Sequence, residues 1–331
     1  MSFVYVSDPG SKLSINGNRL VIKKEDESTR SLPIELIEGI NLLGPSQLTI
    51  QCMEACMVRG IPVSFSSKGG RYYGRLMSSG HIRPEIQRHQ SALYDTPFAL
   101  ELSKRICIAK IRNQITVVHR YKKTLGNTNE HELISMKNSL SKIDSCGKIS
   151  EVIGYEGRAA KSYFQALSQC IDSKFSFHGR NRRPPKDPFN SMISLGYSIV
   201  LNEIYREIEM RGLNPYFGFV HRDAENHPTL ASDLMEEWRA VLIDTTVMAL
   251  INGHEVSIDQ FDYDNGGCYL QKDALRIFLN KLEKKFTTKV RYFSYTNDMV
   301  DFRYGISLQV GQLIKAIETE NPEQYQPIII R

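Results

Sequence analysis

The spacing of apolar residues changes partway along the chain, and this change constrains the fold more than any other feature of the sequence. In the N-terminal quarter, short runs alternate between apolar and polar residues and are separated by turns, as in β-strands. After Pro97 the apolar residues recur three and four positions apart, which is the spacing of one helix face. The sequence therefore predicts an α+β protein in which a small β-rich N-terminal domain precedes a larger all-α C-terminal domain. The predicted bounds are 1–80 for the β-rich domain, 81–97 for a polar linker and 98–331 for the helical domain.

Individual elements follow from the same spacing. One helix interrupts the N-terminal strands, and we expect Ser46 to cap it and Gly60 to end it. The C-terminal helices are predicted at 98–123, 129–146, 157–173, 188–211, 233–252, 272–286 and 297–318, with loops around Gly147 and Asp264. Glu156 would then stand at the front of a helix rich in small residues.

The composition is that of an ordinary globular protein. Of the 331 residues, 41% are hydrophobic and 24% are charged, which allows a sizeable core. No apolar run reaches the ~18 residues that a membrane-spanning helix needs, and the N-terminus lacks the basic and apolar parts of a signal peptide. We therefore expect a cytoplasmic protein without a membrane partner.

Positive charge is concentrated in one stretch. Lys and Arg number 42 against 37 Asp and Glu, so the net charge is +5. The stretch HGRNRRPPK, residues 178–186, carries Arg180, Arg182, Arg183 and Lys186 and no acid, which favours contact with phosphate. A solvated loop stiffened by proline explains the same stretch equally well.

A histidine and two carboxylates come together in the segment GFVHRDAENHPTLASDLMEEWR, residues 218–239. His221 closes a short apolar strand, while Asp233 and Glu236 lie three positions apart at a predicted helix start and can share one face. Glu156, in the stretch GYEGRAAKSYF, is a candidate third oxygen ligand from a distant part of the chain. One nitrogen with two or three oxygens suits Mg²⁺ or Mn²⁺ better than a structural zinc site.

Each of these residues also has a purely structural interpretation. Asp233 and Glu236 fit a capping box that satisfies backbone amides, and Glu156 can complement a helix dipole. His221 fits a half-buried, hydrogen-bonded side chain, and His227 in the polar loop is a minor rival to it as a ligand. Spacing alone favours the structural interpretation, so the surrounding motifs carry the functional one.

Seven motifs occur in an order that resembles the CRISPR-associated adaptation integrases, metal-dependent DNA endonucleases found with CRISPR arrays. They are IPVSFSSKGGRYYGRL from Ile61, KIRNQ from Lys110, GYEGRAAKSYF around Glu156, GRNRRPPKDPFNSMISLGYSI from Gly179, GFVH ending at His221, SDLMEEWR from Ser232 and FRYGISLQV from Phe302. Each motif alone is weak, but the ordered set spans almost the whole chain.

The resemblance implies a function, a site and partners. The implied function is spacer acquisition, in which the 3′-hydroxyl ends of a short DNA duplex are joined to a CRISPR repeat by transesterification. The family's conserved glutamate falls on Glu156, its histidine on His221 and its acidic pair on Asp233 and Glu236. A homodimer formed through the β-rich domain and a small ferredoxin-like partner subunit are implied as well.

The basic residues become candidate DNA contacts in this context. They are Arg180, Arg182, Arg183 and Lys186 in the basic stretch and Lys110 and Arg112 in the first long helix. Two other interpretations stay open. A repair nuclease acting on branched DNA would use the same residues, and a non-enzymatic DNA-binding scaffold would use the acids only as helix caps.

Overall fold

The protein divides into two compact units after His81. The computed structural model describes residues 2–125, 130–182, 184–294 and 296–330. Strands dominate the first unit and helices dominate the second, which confirms the predicted α+β class.

The first unit contains two four-stranded sheets. Its strands are β1 Ser2–Val6, β2 Ser11–Asn16, β3 Arg19–Lys23, β4 Thr29–Pro33, β5 Ile37–Leu43, β6 Ser46–Leu48, β7 Val63–Ser66 and β8 Tyr72–Leu76. One sheet has the order β1-β5-β7-β8, in which β5 pairs in parallel with β1 and β7, and β8 is antiparallel. The other has the order β4-β3-β2-β6, with antiparallel pairing except between β2 and β6.

Both sheets contribute to one apolar core. Leu13 of β2 and Val63 of β7 are fully buried in it, and helix α1 Ile50–Val58 adds Cys52 and Cys56 from successive turns. The period-two alternation read from the sequence is what turns one face of each strand toward this core.

Helix α1 begins later than the sequence suggested. Ser46, the predicted cap, lies in strand β6, and Thr49 caps the helix by accepting a hydrogen bond from the Cys52 amide at 3.3 Å. Gly60 follows the helix end with a φ of 65°, a left-handed conformation that glycine adopts without strain.

The second unit is built from nine of the helices in the described ranges. They are α2 Pro84–Ala92, α3 Pro97–Leu125, α4 Glu130–Ile143, α5 Ile149–Ser168, α6 Pro188–Met210, α7 Thr229–Met235, α8 Thr245–Asn252, α9 Lys272–Phe286 and α10 Phe302–Glu318. Across the described residues, no helix is both long enough and apolar enough to cross a lipid bilayer.

Helix α2 lies inside the segment 81–97 that the sequence presented as a linker. Its Gln90 side chain donates hydrogen bonds to the carbonyl oxygens of Asn214 at 2.8 Å and Phe217 at 2.7 Å. This part of the chain is therefore fixed to the second unit by buried contacts.

Two of the predicted helices differ most from the structure, while α10 begins at Phe302 rather than Asn297. Helix α5 begins at Ile149 rather than Gly157, because the Glu151 carboxylate accepts from the Gly147 amide and caps the helix start at 2.9 Å. The predicted helix 233–252 is divided into α7, a turn, a π-helical segment Arg239–Asp244 and α8.

Short strands interrupt the helices, so the second unit is not wholly α-helical. Strands β9 Phe261–Asp264 and β10 Gly267–Leu270 form a hairpin, and β11 Lys289–Val290 pairs with β12 Val300–Asp301. The predicted loop after Asp264 is the hairpin turn, whose two residues both have positive φ, as a type I′ turn requires.

Candidate metal centre

The four acidic and histidine candidates come together in the second unit. Glu156 lies in the middle of α5, and His221 follows the buried pair Phe219–Val220. Asp233 lies within α7, and Glu236 is the residue directly after it. Because neither acid stands at the N-terminus of α7 and Glu156 is far from the start of α5, the capping and dipole interpretations are wrong.

Asp233 fixes the loop that carries the histidine. Its carboxylate is fully buried and accepts hydrogen bonds from the backbone amides of Phe219 at 2.6 Å, Val220 at 2.9 Å and His221 at 3.0 Å. The His221 ring adds a fourth at 2.6 Å between Nδ1 and Oδ1. Four donors use the acceptor positions of both oxygens, so Asp233 is placed to orient His221 rather than to bind an ion directly.

Gly218 is part of the same close packing. A Cβ atom at this position would lie 2.8 Å from Asp233 Oδ2 and 2.9 Å from the Thr229 backbone. Any side chain here would push against the carboxylate that holds the loop.

His221 is oriented by the Asp233 hydrogen bond. With Nδ1 held against Asp233, the ring directs Nε2 the other way, where it lies 3.9 Å from Glu236 Oε1. The hydrogen bond with Asp233 raises the pKa of His221, although burial opposes this. The rival His227 instead places its Nε2 3.1 Å from the Ser232 hydroxyl.

Lys110 connects the remaining carboxylates. Its side chain is 10% exposed, and its ammonium contacts Glu156 Oε1 and lies 2.5 Å from Glu236 Oε2. Burial lowers the pKa of Lys110, but the charges of Glu236 and Glu156 outweigh it and raise the pKa overall. The sequence suggested a DNA contact for Lys110, whereas the structure turns it inward between two acids.

Positively charged side chains contact the Glu236 carboxylate. Arg239 Nε lies 3.1 Å from Glu236 Oε2, the same oxygen that Lys110 approaches. Burial disfavours the charged form, but Arg239, Lys110 and His221 together lower the pKa of Glu236 to about 2. We call Lys110, Glu156, His221, Glu236 and Arg239 the charged centre.

Three buried residues, Tyr163, Tyr197 and Asp244, support Arg239, and we call them the platform. The Arg239 guanidinium stacks over the Tyr197 ring, 4.4 Å from its centroid. The hydroxyls of Tyr197 and Tyr163 donate to Asp244 at 2.7 and 2.8 Å. Burial raises the pKa of Asp244 to about 6, although these hydrogen bonds oppose it. No pattern in the sequence indicates this platform, because its members come from three separate elements.

The donor set suits a hard divalent cation. Glu156 and Glu236 face the position that the Lys110 ammonium occupies, and His221 Nε2 lies 3.9 Å from Glu236 Oε1. Glu236 Oε2 makes ion pairs there without a hydrogen bond of good geometry. Among the described residues, no three His, Cys, Asp or Glu side chains are close enough together to enclose an ion. A metal role for these residues stays a prediction.

The basic stretch separates into inward and outward residues. Arg180 donates to the side chains of Asn190 at 2.7 Å and Ser194 at 3.1 Å, so its guanidinium is used within the fold. Arg182 and Lys186 are exposed, as is Arg112 on α3. Arg183 lies outside the described residues.

The residue after Glu236 belongs to a second buried cluster, which we call the C-terminal clasp. Its members are Asn113, Glu237, Tyr325, Ile328 and Ile330. The Glu237 carboxylate accepts from the Tyr325 hydroxyl at 2.5 Å and the Ile328 amide at 2.7 Å. Asn113 donates to the Ile328 carbonyl at 2.9 Å and accepts from the Ile330 amide at 2.9 Å. Burial raises the pKa of Glu237 to about 8. The clasp fixes the chain's last described residues against α3 and the segment that carries Glu236.

Comparison with known proteins shows the family. Residues 4–284 match the family described as CRISPR associated protein Cas1. The CRISPR-associated endonuclease Cas1 of Mycobacterium tuberculosis (strain H37Rv) is 35% identical over 330 residues, which cover 99% of this chain and 97% of that protein. CRISPR-associated endonuclease Cas1 3 of Thermus thermophilus is 30% identical over 331 residues, with 99% and 97% covered. The chain belongs to the Cas1 family, which confirms the resemblance read from its motifs.

Solved structures share the fold. A chain of a Cas6-RT-Cas1–Cas2 complex superimposes with a TM-score of 0.84 at 25% identity, covering 98% of this chain but 36% of that longer chain. A Cas1 protein from Thermotoga maritima gives a TM-score of 0.82 at 21% identity, with 96% and 97% covered. The two-unit architecture is thus common to these proteins.

Proposed function

We propose that this chain inserts short DNA fragments as new spacers into a CRISPR array. The proposal is carried by the buried cluster in which one ammonium contacts both Glu156 and Glu236 while His221 Nε2 lies 3.9 Å from Glu236, in a family whose relatives are CRISPR-associated endonucleases by name. In the reaction, a DNA 3′-hydroxyl attacks a repeat phosphodiester. A new phosphorus–oxygen bond forms, and the bond between that phosphorus and its original 3′-oxygen breaks. The released strand end becomes a 3′-hydroxyl by taking up the proton that the attacking hydroxyl has lost.

The proposed cofactor is Mg²⁺ or Mn²⁺, held by Glu156, Glu236 and His221. Bound there, the ion would lower the pKa of the attacking hydroxyl and stabilise the departing oxygen. The protein's own side chains position these ligands. Asp233 holds the His221 ring so that Nε2 is directed at the charged centre, and Arg239 holds the Glu236 carboxylate.

Exposed cations would hold the DNA. Arg182, Lys186 and Arg112 are free to contact phosphate oxygens without reading sequence, and we include Arg183 from its position in the basic stretch. Arg180 is excluded from this set because its guanidinium is bonded within the fold.

The assembly we propose is a homodimer that works with a small ferredoxin-like CRISPR-associated subunit on double-stranded DNA. The support is the likeness to a chain of a complex that contains Cas1 and Cas2. Several subunits would let one assembly hold both ends of a DNA fragment.

The test is a strand-transfer assay. A labelled short duplex with free 3′-hydroxyls is mixed with a plasmid carrying a CRISPR array, the partner subunit and Mg²⁺ or Mn²⁺. Wild type is compared with Glu156→Ala and His221→Ala. The matched control for His221→Ala is His227→Ala, which removes the other histidine of the same loop.

Label at the repeat borders that requires metal, Glu156 and His221 but not His227 is the expected result. Hydrolysis of branched DNA without strand transfer would replace the proposal with a repair nuclease. DNA binding with neither reaction would mean that the chain is a scaffold. Activity that survives in Glu156→Ala would contradict the proposed metal site.

A further inference from the structure

We infer that Lys110 is a tethered cation that takes the place of the metal between Glu156 and Glu236 and must withdraw when a divalent ion binds. The inference rests on the proposed metal site and adds a residue that sets the affinity of that site. It also explains how two acids can lie near one ammonium in a buried region.

The first argument is electrostatic. The side chains of Glu156 and Glu236 are 18% and 6% exposed, so little water screens their mutual repulsion. Lys110 contacts both with one ammonium, which neutralises much of that repulsion. Without a cation at this position, the two carboxylates would destabilise the folded protein.

The second argument is competition for the same atoms. Oxygen ligands lie about 2.0–2.1 Å from a small ion such as Mg²⁺. The Lys110 ammonium lies 2.5 Å from Glu236 Oε2 and also contacts Glu156 Oε1, so an ion bound to these oxygens would meet a like charge at short range. Lysine has a flexible four-carbon stem, which allows the ammonium to leave while the helix backbone stays in place.

Lys104 provides a matched control on the same helix. Its side chain is 11% exposed, and its ammonium lies 2.8 Å from Glu101 and 3.1 Å from the Asp144 carbonyl oxygen. It is thus a nearly buried lysine of α3 whose carboxylate partner has no part in the proposed metal site. A general effect of removing a buried lysine will appear in Lys104→Met as well.

The experiment measures Mn²⁺ binding by calorimetry at one fixed pH and compares wild type with variants of Lys110. Lys110→Met removes the charge, and Lys110→Gln removes the charge but keeps a hydrogen-bond donor, so it serves if the Met variant does not fold. Both are expected to bind Mn²⁺ at least about tenfold more tightly, because a like charge has been removed from a buried site. Lys110→Arg keeps the charge and should bind no more tightly than wild type.

Thermal unfolding supplies a second measurement. In chelator, Lys110→Met and Lys110→Gln should melt below wild type, and Mn²⁺ should raise their melting temperatures by more than it raises that of wild type. Lys104→Met should change its melting temperature without changing the shift caused by Mn²⁺.

The possible failures are distinct. If wild type binds no Mn²⁺, or Glu236→Gln binds it as tightly as wild type, the proposed metal site is wrong. If wild type binds Mn²⁺ and Glu236→Gln does not, but the neutral Lys110 variants bind no more tightly than wild type, the tethered-cation inference is overturned. Equal tightening in Lys104→Met would overturn it too, since the effect would then not depend on the carboxylate pair.

Discussion

Glu236 and Glu237 are consecutive residues in two regions of opposite character. Glu236 faces the charged centre, where Arg239, Lys110 and His221 overcome the effect of burial and bring its pKa to about 2. Glu237 faces the C-terminal clasp, where burial brings its pKa to about 8 although Ile328 and Tyr325 donate to it. At Glu237 the hydrogen bonds do not offset the effect of burial on the pKa, whereas at Glu236 the full opposite charges do.

The largest expected effect separates the two glutamates directly. Glu236→Gln should lower metal-dependent strand transfer by about 10³-fold, since a group that acts on developing charge is lost. Glu237→Gln should change the rate by no more than about 3-fold, because the Glu237 carboxylate bonds to Tyr325 and Ile328 in the clasp rather than to the charged centre. The strand-transfer assay measures both, and equal losses would mean that the two regions do not have separate roles.

The second-largest effect is expected on the free energy of unfolding when the clasp is altered. Ile328 is fully buried, so Ile328→Ala should lower the free energy of unfolding by about 2–5 kcal/mol. Its neighbour Ile329 is only partly buried, and Ile329→Ala should cost clearly less. Urea unfolding gives both values. Equal costs would show that the clasp does not hold the chain end as described.

In the platform, as in the clasp, burial has the largest effect on the pKa of the carboxyl group. A pH experiment tests this similarity. The pKa of Asp244 is about 6 against an ordinary 3.8, so its favourable contribution is present below about pH 4 and is lost as the pH rises through 6. Relative to Asp244→Asn, wild type should lose about 2 kcal/mol of unfolding free energy between pH 4 and 7.

The control for this experiment is Asp273→Asn, which removes an exposed carboxylate at the start of α9. Its stability should follow the wild-type pH profile within about 0.5 kcal/mol. If the Asp244→Asn difference is flat with pH, the Asp244 carboxylate is charged throughout the range and the platform belongs with the charged centre instead.

The smallest effect concerns residues outside both regions. Arg182→Ala and Lys186→Ala should each weaken DNA binding modestly and lower the slope of log affinity against log salt by about 1. Arg180→Ala should instead lower stability, because its guanidinium bonds to Asn190 and Ser194. Fluorescence anisotropy at several salt concentrations checks the slopes, and an unchanged slope in Arg182→Ala would remove that residue from the DNA surface.

The sequence identified the principal residues of the site but not how they divide the work. The motifs brought Glu156, His221, Asp233 and Glu236 together, and the spacing suggested that the last two share a role. In the structure both carboxylates lie beside the His221 ring, as residues on one face would. They differ in their other partners, because Asp233 bonds to the backbone of the histidine loop while Glu236 contacts Lys110 and Arg239.

Long-range partners explain most of what the sequence did not predict. Helical spacing could not show that Lys110 turns inward, because the acids that attract it come from α5 and from the turn after α7. The early start of α5 depended on Glu151 reaching back to the Gly147 amide, in a stretch whose composition is typical of a loop. The class of fold depended only on local periodicity, and it was predicted correctly.

The π-helical segment Arg239–Asp244 has a consequence for how this chain can vary between relatives. A π turn holds more residues than an α turn, so deleting one residue here would restore an ordinary helix. Arg239 and Asp244 lie five positions apart, a spacing that one π turn places on a common face, and after such a deletion between them they would lie four apart, the spacing that an α turn places there. Loss of one residue from this stretch would therefore leave Arg239 beside Glu236 and Asp244 beside Tyr163 and Tyr197. Relatives can differ here in length by one residue and still keep the same contacts.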